Sequence, residues 1–269
     1  MSDAADKVFA GSIPENYDHH MVPLIFESYA RDLAQRVAAL SPNAVLETAA
    51  GSGVVTRALA PVLSADARYV VTDLNQPMLD YAKAKQGADS RIRWQKADAQ
   101  SLPFEDAAFD LVCCQFGVMF FPDRPSGYRE AKRVLKPGGY FLFNAWDRIE
   151  ENVFANDVTN ALAEFFPNDP PRFMARTPHG YHDTALIRSD LAKAGFTDVA
   201  IETREAQSRA ASPRDVALAY CQGTPLRNEI EARGNLEAAT DHAASVIASR
   251  HGSGEVAAKI QAHVILARA

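Results

Sequence analysis

Apolar and polar positions divide the chain into short runs alternating with helical stripes. Ala44–Glu47 (AVLE), Arg68–Asp73 (RYVVTD), Arg91–Gln95 (RIRWQ), Phe109–Gln115 (FDLVCCQ) and Tyr140–Ala145 (YFLFNA) are the short runs. Their near-continuous apolar character predicts strands buried on both faces of a parallel sheet. Between the first two, Val54, Val55, Ala58, Leu59, Val62 and Leu63 recur at helical spacing. Pro77 suits the start of the next helix, whose apolar face is Met78, Leu79 and Ala82. A helix over Arg129–Leu135 stops at Lys136-Pro137-Gly138-Gly139. Ahead of the first strand, Pro23–Leu40 reads as a helix with Leu24, Phe26, Leu33, Val37 and Leu40 as its apolar members.

The later part is less regular. Pro167, Pro170, Pro171 and Pro178 mark Trp146–Asp183 as a loop or short-helix insertion. Asp183–Ala194 follows as a helix closed by Gly195, then Asp198–Glu205 as a strand. Ser212 and Pro213 open a helical stretch, Ala217–Ile230 and Leu236–Ser249, broken at Gly223-Thr224-Pro225 and Gly234. Ala257–Arg268 closes the chain as a strand. Strands alternating with helices predict an α/β, doubly wound architecture.

At 269 residues the chain makes one domain with ample core. The expected organisation is a helical lid over 1–41, a ligand-binding core over 42–145, an insertion over 146–183, and a C-terminal half over 184–269 with a helical insertion at 212–250. Net charge is −6 and no Lys/Arg block stands out, which argues against a nucleic-acid partner. No apolar stretch approaches the roughly 18 residues of a membrane span. The acidic N-terminus MSDAADKVFAGS has no secretory apolar core, so the expected location is cytoplasmic. Cys113, Cys114 and Cys221 make neither a disulfide framework nor zinc spacing. The first two, adjacent in a strand, should point to opposite faces.

The stretch that carries chemistry is Ala44–Thr56, AVLETAAGSGVVT. Strand, small-residue turn and helix start place free N–H groups and a closely approaching backbone at one point, as a nucleotide site requires. A dinucleotide fingerprint would carry a third glycine, where this chain has Thr56. It would also have no use for Glu47, because a carboxylate there repels a pyrophosphate and suits a positively charged ligand bearing hydroxyls. Asp73 ends the second strand 20 residues beyond Gly53, the spacing at which a carboxylate meets a ribose.

The order Glu47-x-Ala49-x-Gly51-x-Gly53 resembles motif I of the class I S-adenosylmethionine (AdoMet) methyltransferases, with Ala49 in place of the first glycine. Arg133-Val134-Leu135-Lys136-Pro137-Gly138-Gly139 is a frequent phrase of the same family, with a structural role. The resemblance is to the small-molecule branch, which includes quinone C-methyltransferases. It implies AdoMet as cofactor and a seven-stranded, mostly parallel sheet with helices on both faces and an antiparallel final strand. Helical insertions then fall after strand five and between strands six and seven. It also implies roles: Gly51 and Gly53 beside the methionine part, Asp73 on the ribose, Asp98 and Ala99 on adenine, and Glu47 ordering the loop. Tyr17, Ala49, Leu74, Met78 and Gln115 complete the expected cofactor set. The family's nucleic-acid amino-methylating members carry an acid/Asn-Pro-Pro-aromatic tetrapeptide where this chain has Cys114-Gln115-Phe116-Gly117. The expected acceptor is therefore a small molecule, with Phe116 and Arg172 as its candidate contacts.

Methyl transfer needs a base only if the acceptor must lose a proton, and His19, His20, His179 and His182 are the candidates, histidine titrating near neutral pH. His179-x-x-His182 has no third ligand and no helical periodicity, so no metal is expected. Two rivals stand beside this reading. A nicotinamide-dependent oxidoreductase would need the missing glycine and a hydride-transfer set. A non-catalytic partner subunit of the same fold would have no reason to retain all three acids.

Overall fold

A computed structural model describes residues 17–269; the first 16 residues of the expected lid lie outside the described residues. Seven strands form one sheet in the order β3-β2-β1-β4-β5-β7-β6. They are β1 (Ala44–Glu47), β2 (Arg68–Asp73), β3 (Ile92–Lys96), β4 (Phe109–Gln115), β5 (Leu135–Trp146), β6 (Asp198–Ala210) and β7 (Val256–Arg268). The first five are parallel, β7 runs antiparallel to β5, and β6 is antiparallel to β7. The final strand is antiparallel and the helices lie around the sheet, as the resemblance implied.

Neighbouring positions along a strand bury into opposite cores. Leu46, Val70, Val112 and Cys114 join one apolar cluster; Val45, Val71, Leu111 and Cys113 join the other. The second cluster is sealed by the helix Glu27–Leu40 through Leu33 and Val37, and by Val55 and Leu59 of the helix Val54–Leu59. The first is sealed by Tyr128 of the helix Arg124–Val134 and by the helical C-terminal half. With both faces covered, the central strands β1, β2 and β4 are buried along most of their length, which is why they read as apolar runs instead of alternations.

Four stretches differ from expectation. Strand β5 starts at Leu135, five residues before the predicted Tyr140, and takes in Lys136-Pro137-Gly138-Gly139, which the sequence reads as a turn. The helix predicted over Pro23–Leu40 starts as a wider i→i+5 turn over Tyr17–Phe26 and becomes an ordinary helix at Glu27; Pro23, with no N–H to give, sits in the wide part. The proline-rich insertion contains a 13-residue helix, Val153–Phe165, ahead of its prolines. Its stripe Phe154, Val158, Ala161 and Leu162 is fully buried. Strand β6 extends to Ala210, five residues further than predicted, because it pairs with β7 along its whole length. Among the described residues no helix is long and apolar enough to cross a membrane.

Candidate functional site

Parallel strands end together, and the turns beyond their carboxyl ends converge. The turn after β1 is held by four bonds from its own backbone. Thr48 N–H donates to Cys113 O at 2.9 Å, Ala50 N–H to Thr72 O at 3.0 Å, Gly53 N–H to Ala50 O at 3.0 Å, and Gly51 N–H to the Asp73 carboxylate at 2.8 Å. Ala49 and Phe116 both lie in the left-handed region, with φ of 52°, a conformation costing a residue with a Cβ roughly 1–2 kcal/mol. Next to Phe116, a Cβ at Gly117 would stand 2.5 Å from Ala49 Cβ. The β1 and β4 tips thus touch through a position only glycine can fill.

These tips enclose a cleft of about 1030 Å³ counted to its open mouth. Tyr17, Glu47, Ala49, Gly51, Asp73, Leu74, Met78, Asp98, Ala99, Gln115 and Phe116 all line it. Gly53 does not. With φ of 82°, it turns the chain into the following helix, and its Cα faces a neighbouring helix so closely that a Cβ would lie 2.9 Å from Ala82 Cβ. Arg172 is exposed and lines neither this cleft nor the second cavity beyond Phe116, its backbone N–H bonding Glu229 at 2.7 Å. His19 and His20 pack edge to face with each other, and exposed His182 hydrogen-bonds the His179 carbonyl; none of the three lines the cleft. His179 lines the second cavity beyond Phe116, about 530 Å³ counted to its open mouth and walled by Met21, Met119, Trp146, Phe173 and Met174. Among the described residues no cluster of three or more His, Cys, Asp or Glu side chains could hold a metal.

Asp73 and Glu47 are both buried. Asp73 accepts from the backbone N–H of Gly51 and, at 2.7 Å, of Asn75. Burial raises its pKa, and the backbone hydrogen bonds oppose that shift. A carboxylate offers about four lone-pair sites, so acceptor capacity is left for ligand hydroxyls. Glu47 accepts from Thr56 Oγ1 at 2.7 Å and from the Tyr69 hydroxyl, both on Oε2. Burial pushes its pKa up to about 7, against the pull of those two bonds. Asp98 is exposed at the cleft edge and caps its own turn, accepting from Gln100 N–H at 2.9 Å. No Lys, Arg or His lines the cleft among the described residues.

The sequence also underlay walls it did not assign. Phe26 comes from the N-terminal segment, and Phe120 and Phe121 from the turn beyond β4. The last two belong to Phe116–Phe121, an apolar concentration just past a strand end, which is the signal that could have identified them. Phe116 itself stacks face to face on Trp146, ring centroids 3.8 Å apart and 4° from parallel. Gln115 Nε2 donates to the Phe26 carbonyl at 3.1 Å, tying the β4 tip to the roof.

Residues 46–143 match a family model described as a methyltransferase domain. Among curated proteins, the chain is 36% identical over 179 residues to the ubiquinone/menaquinone biosynthesis C-methyltransferase UbiE of Bartonella tribocorum, covering 61% of this chain and 68% of that protein. It is 28% identical over 169 residues to the UbiE of Ectopseudomonas mendocina, covering 58% and 66%. The chain thus spans about two thirds of the length of these relatives. Among solved structures, the YcgJ protein of Bacillus subtilis superposes with a TM-score of 0.57 at 18% identity, covering 90% of this chain and 98% of that one, a likeness of fold.

Proposed function

The chain belongs to the class I S-adenosylmethionine-dependent methyltransferases, and on that premise we propose that it methylates a small-molecule acceptor held beside the β4 tip. Bound in the cleft, AdoMet supplies a methyl group already activated on a sulfonium. The observation that carries the reading is a pair of buried carboxylates, Glu47 and Asp73, lining one cleft with no basic side chain in its lining. Buried charge is tolerated where an opposite charge meets it. A cationic ligand with vicinal hydroxyls suits this lining, and a pyrophosphate would be repelled, which disfavours a nicotinamide cofactor.

In this reading Asp73 takes the ribose hydroxyls, and Gly51, pinned to Asp73, presents backbone to the methionine part. Asp98 and Ala99 border adenine, with Met78 and Leu74 as apolar walls. Glu47 orders the turn through Thr56 and Tyr69 and adds negative charge opposite the ligand's positive end. Phe116 and Gln115 form the floor where the acceptor meets the methyl. The protein's contribution to rate is alignment and exclusion of water, of which alignment alone can supply roughly 7–11 kcal/mol. Charge is lost at sulfur during transfer, so the aromatic walls favour the transition state over the charged ground state.

Isothermal titration with AdoMet and S-adenosylhomocysteine is the test. Saturable micromolar or tighter binding of both is expected, and the absence of any heat with either would refute the reading.

A further inference from the structure

The N-terminal segment that roofs the cleft is fastened at both ends. At one end the Phe26 carbonyl accepts from Gln115 Nε2 at 3.1 Å. At the other, Asp18 follows the cleft-lining Tyr17 and holds partners from two separate helices. Its Oδ1 accepts from Arg57 Nη2 at 2.7 Å, and its Oδ2 accepts from the Tyr81 hydroxyl at 3.2 Å. Arg57 belongs to the helix Val54–Leu59 and Tyr81 to the helix Gln76–Gln86. A carboxylate of the chain itself thus sits between a guanidinium and a phenol, donors that any anion arriving at this corner would also seek.

Arg57 stands just outside the cleft lining. Its Nη1 donates at 2.6 Å to the carbonyl of Ser52, which does line the cleft. The same Nη1 is 3.6 Å from where a Cβ on Gly53 would stand, so the guanidinium lies against the glycine turn. Burial is the main cause of the raised Glu47 pKa, and Arg57 is among the groups that oppose it, so this positive charge is felt inside the cleft. The turn also has an unmatched donor: Ser52 is 1% exposed, and its Oγ is buried without a partner among the described residues. Arg57 gives one N–H to Ser52 and one to Asp18, and its fork has others to offer. Its single charge, however, is already balanced by Asp18. Two carboxylates on one guanidinium repel each other, so a second is taken up best by displacing the first.

We propose that Asp18 is an internal stand-in for the carboxylate of an amino-acid-bearing nucleoside, and that this carboxylate takes Arg57 over from Asp18 when the ligand binds. The inference rests on the methyl-transfer reading, in which the methionine part lies beside Gly51. That part carries a carboxylate, which the buried acids Glu47 and Asp73 can only repel. A cation beside the turn is what it needs, and Arg57 touches a lining residue at that point. Asp18 keeps the Tyr81 hydroxyl after the exchange. Freeing Arg57 counts against every ligand that brings a carboxylate and against none that lacks one. Asp18 therefore lowers affinity for the cofactor and for its demethylated product alike, and differences in affinity are felt chiefly in how fast a ligand leaves.

Calorimetry on the full chain at neutral pH tests it with three probes. They are S-adenosylmethionine, its decarboxylated form, which lacks only the carboxylate, and 5′-methylthioadenosine, which lacks the whole amino-acid part. Asp18→Asn should tighten S-adenosylmethionine several-fold and bring no gain for the other two. Arg57→Met should act in the opposite direction, weakening S-adenosylmethionine about ten-fold while the other two hold their affinity. Unchanged or weaker S-adenosylmethionine binding in Asp18→Asn would overturn the exchange. So would no loss in Arg57→Met, or an equal loss for all three probes. Should Arg57→Met fail to fold, Asp18→Asn decides by itself. A wild-type protein that binds none of the probes strikes the methyl-transfer reading and the exchange with it. One that binds them, with variants that respond otherwise than stated, strikes the exchange alone.

Discussion

The two halves of the ligand space solve opposite problems with neighbouring residues. The half over β1, β2 and β3 brings two buried carboxylates and a bent backbone together and tolerates their mutual cost. The half beyond Phe116 keeps formal charge out of its lining and uses aromatic and thioether surface. The difference follows from what holds each half in place. The first is fixed by backbone bonds between strand tips, which can hold carboxylates in unfavourable surroundings. The second is assembled by side-chain packing between distant segments, where an unpaired charge would have nothing to oppose it.

The largest expected effect is on the charged half. Glu47 is an acid whose folded pKa, about 7, lies above its ordinary value of 4.5. Between those values the folded state holds a proton that the unfolded state has released, so stability falls as pH rises through this window. The amplitude is on the order of 3 kcal/mol. Thermal melts of the ligand-free protein against pH should show that decline relative to Glu47→Gln, which lacks the titration. Parallel wild-type and variant curves would remove Glu47 from the account. S-adenosylmethionine, a cation, should flatten the wild-type decline.

Asp73→Ala comes next. Removing two charge-assisted bonds to ligand hydroxyls, at about 1.5 kcal/mol each, predicts roughly 100-fold weaker S-adenosylhomocysteine binding by calorimetry with the circular dichroism spectrum retained. An unchanged constant would break the contrast, since the acid would then serve only the turn. Gly117→Ala should act on both halves at once. The new Cβ would meet Ala49 Cβ and, at 2.8 Å, Cys114 Sγ. We expect a loss of about 1–3 kcal/mol in chemical denaturation, and an undiminished midpoint would show that the two tips move apart freely. The smallest effect is Ala49→Gly. It relieves a left-handed alanine but loosens the unfolded chain, so the net change should stay within about 1 kcal/mol.

Legibility in the sequence follows the same division. Glu47, Gly51, Asp73 and Asp98 are set by spacing along successive strand–turn units, and the structure brings them around one cleft. Sequence spacing shows where a turn lies but not which way it faces. Gly53 has the motif's position, yet its missing Cβ makes room for Ala82. Arg172 stands among prolines in a segment that reads as a binding loop, yet its side chain points to solvent. The second cavity takes Met21, Trp146, Phe173 and Tyr220 from four segments across some 200 positions. No local period links them, so only tertiary packing makes them neighbours. The fold was legible because a buried parallel sheet writes itself as apolar runs. The helix Val153–Phe165 was hidden by the prolines that follow it, though its stripe was in plain view.

One aromatic ring borders both chambers. Phe116 is held flat against Trp146 and pinned by a backbone angle it would not choose freely, so its ring has little freedom to swing aside. Filling either chamber then presses on the same stacked pair of rings, and the width of the gap beside them is set when the protein folds.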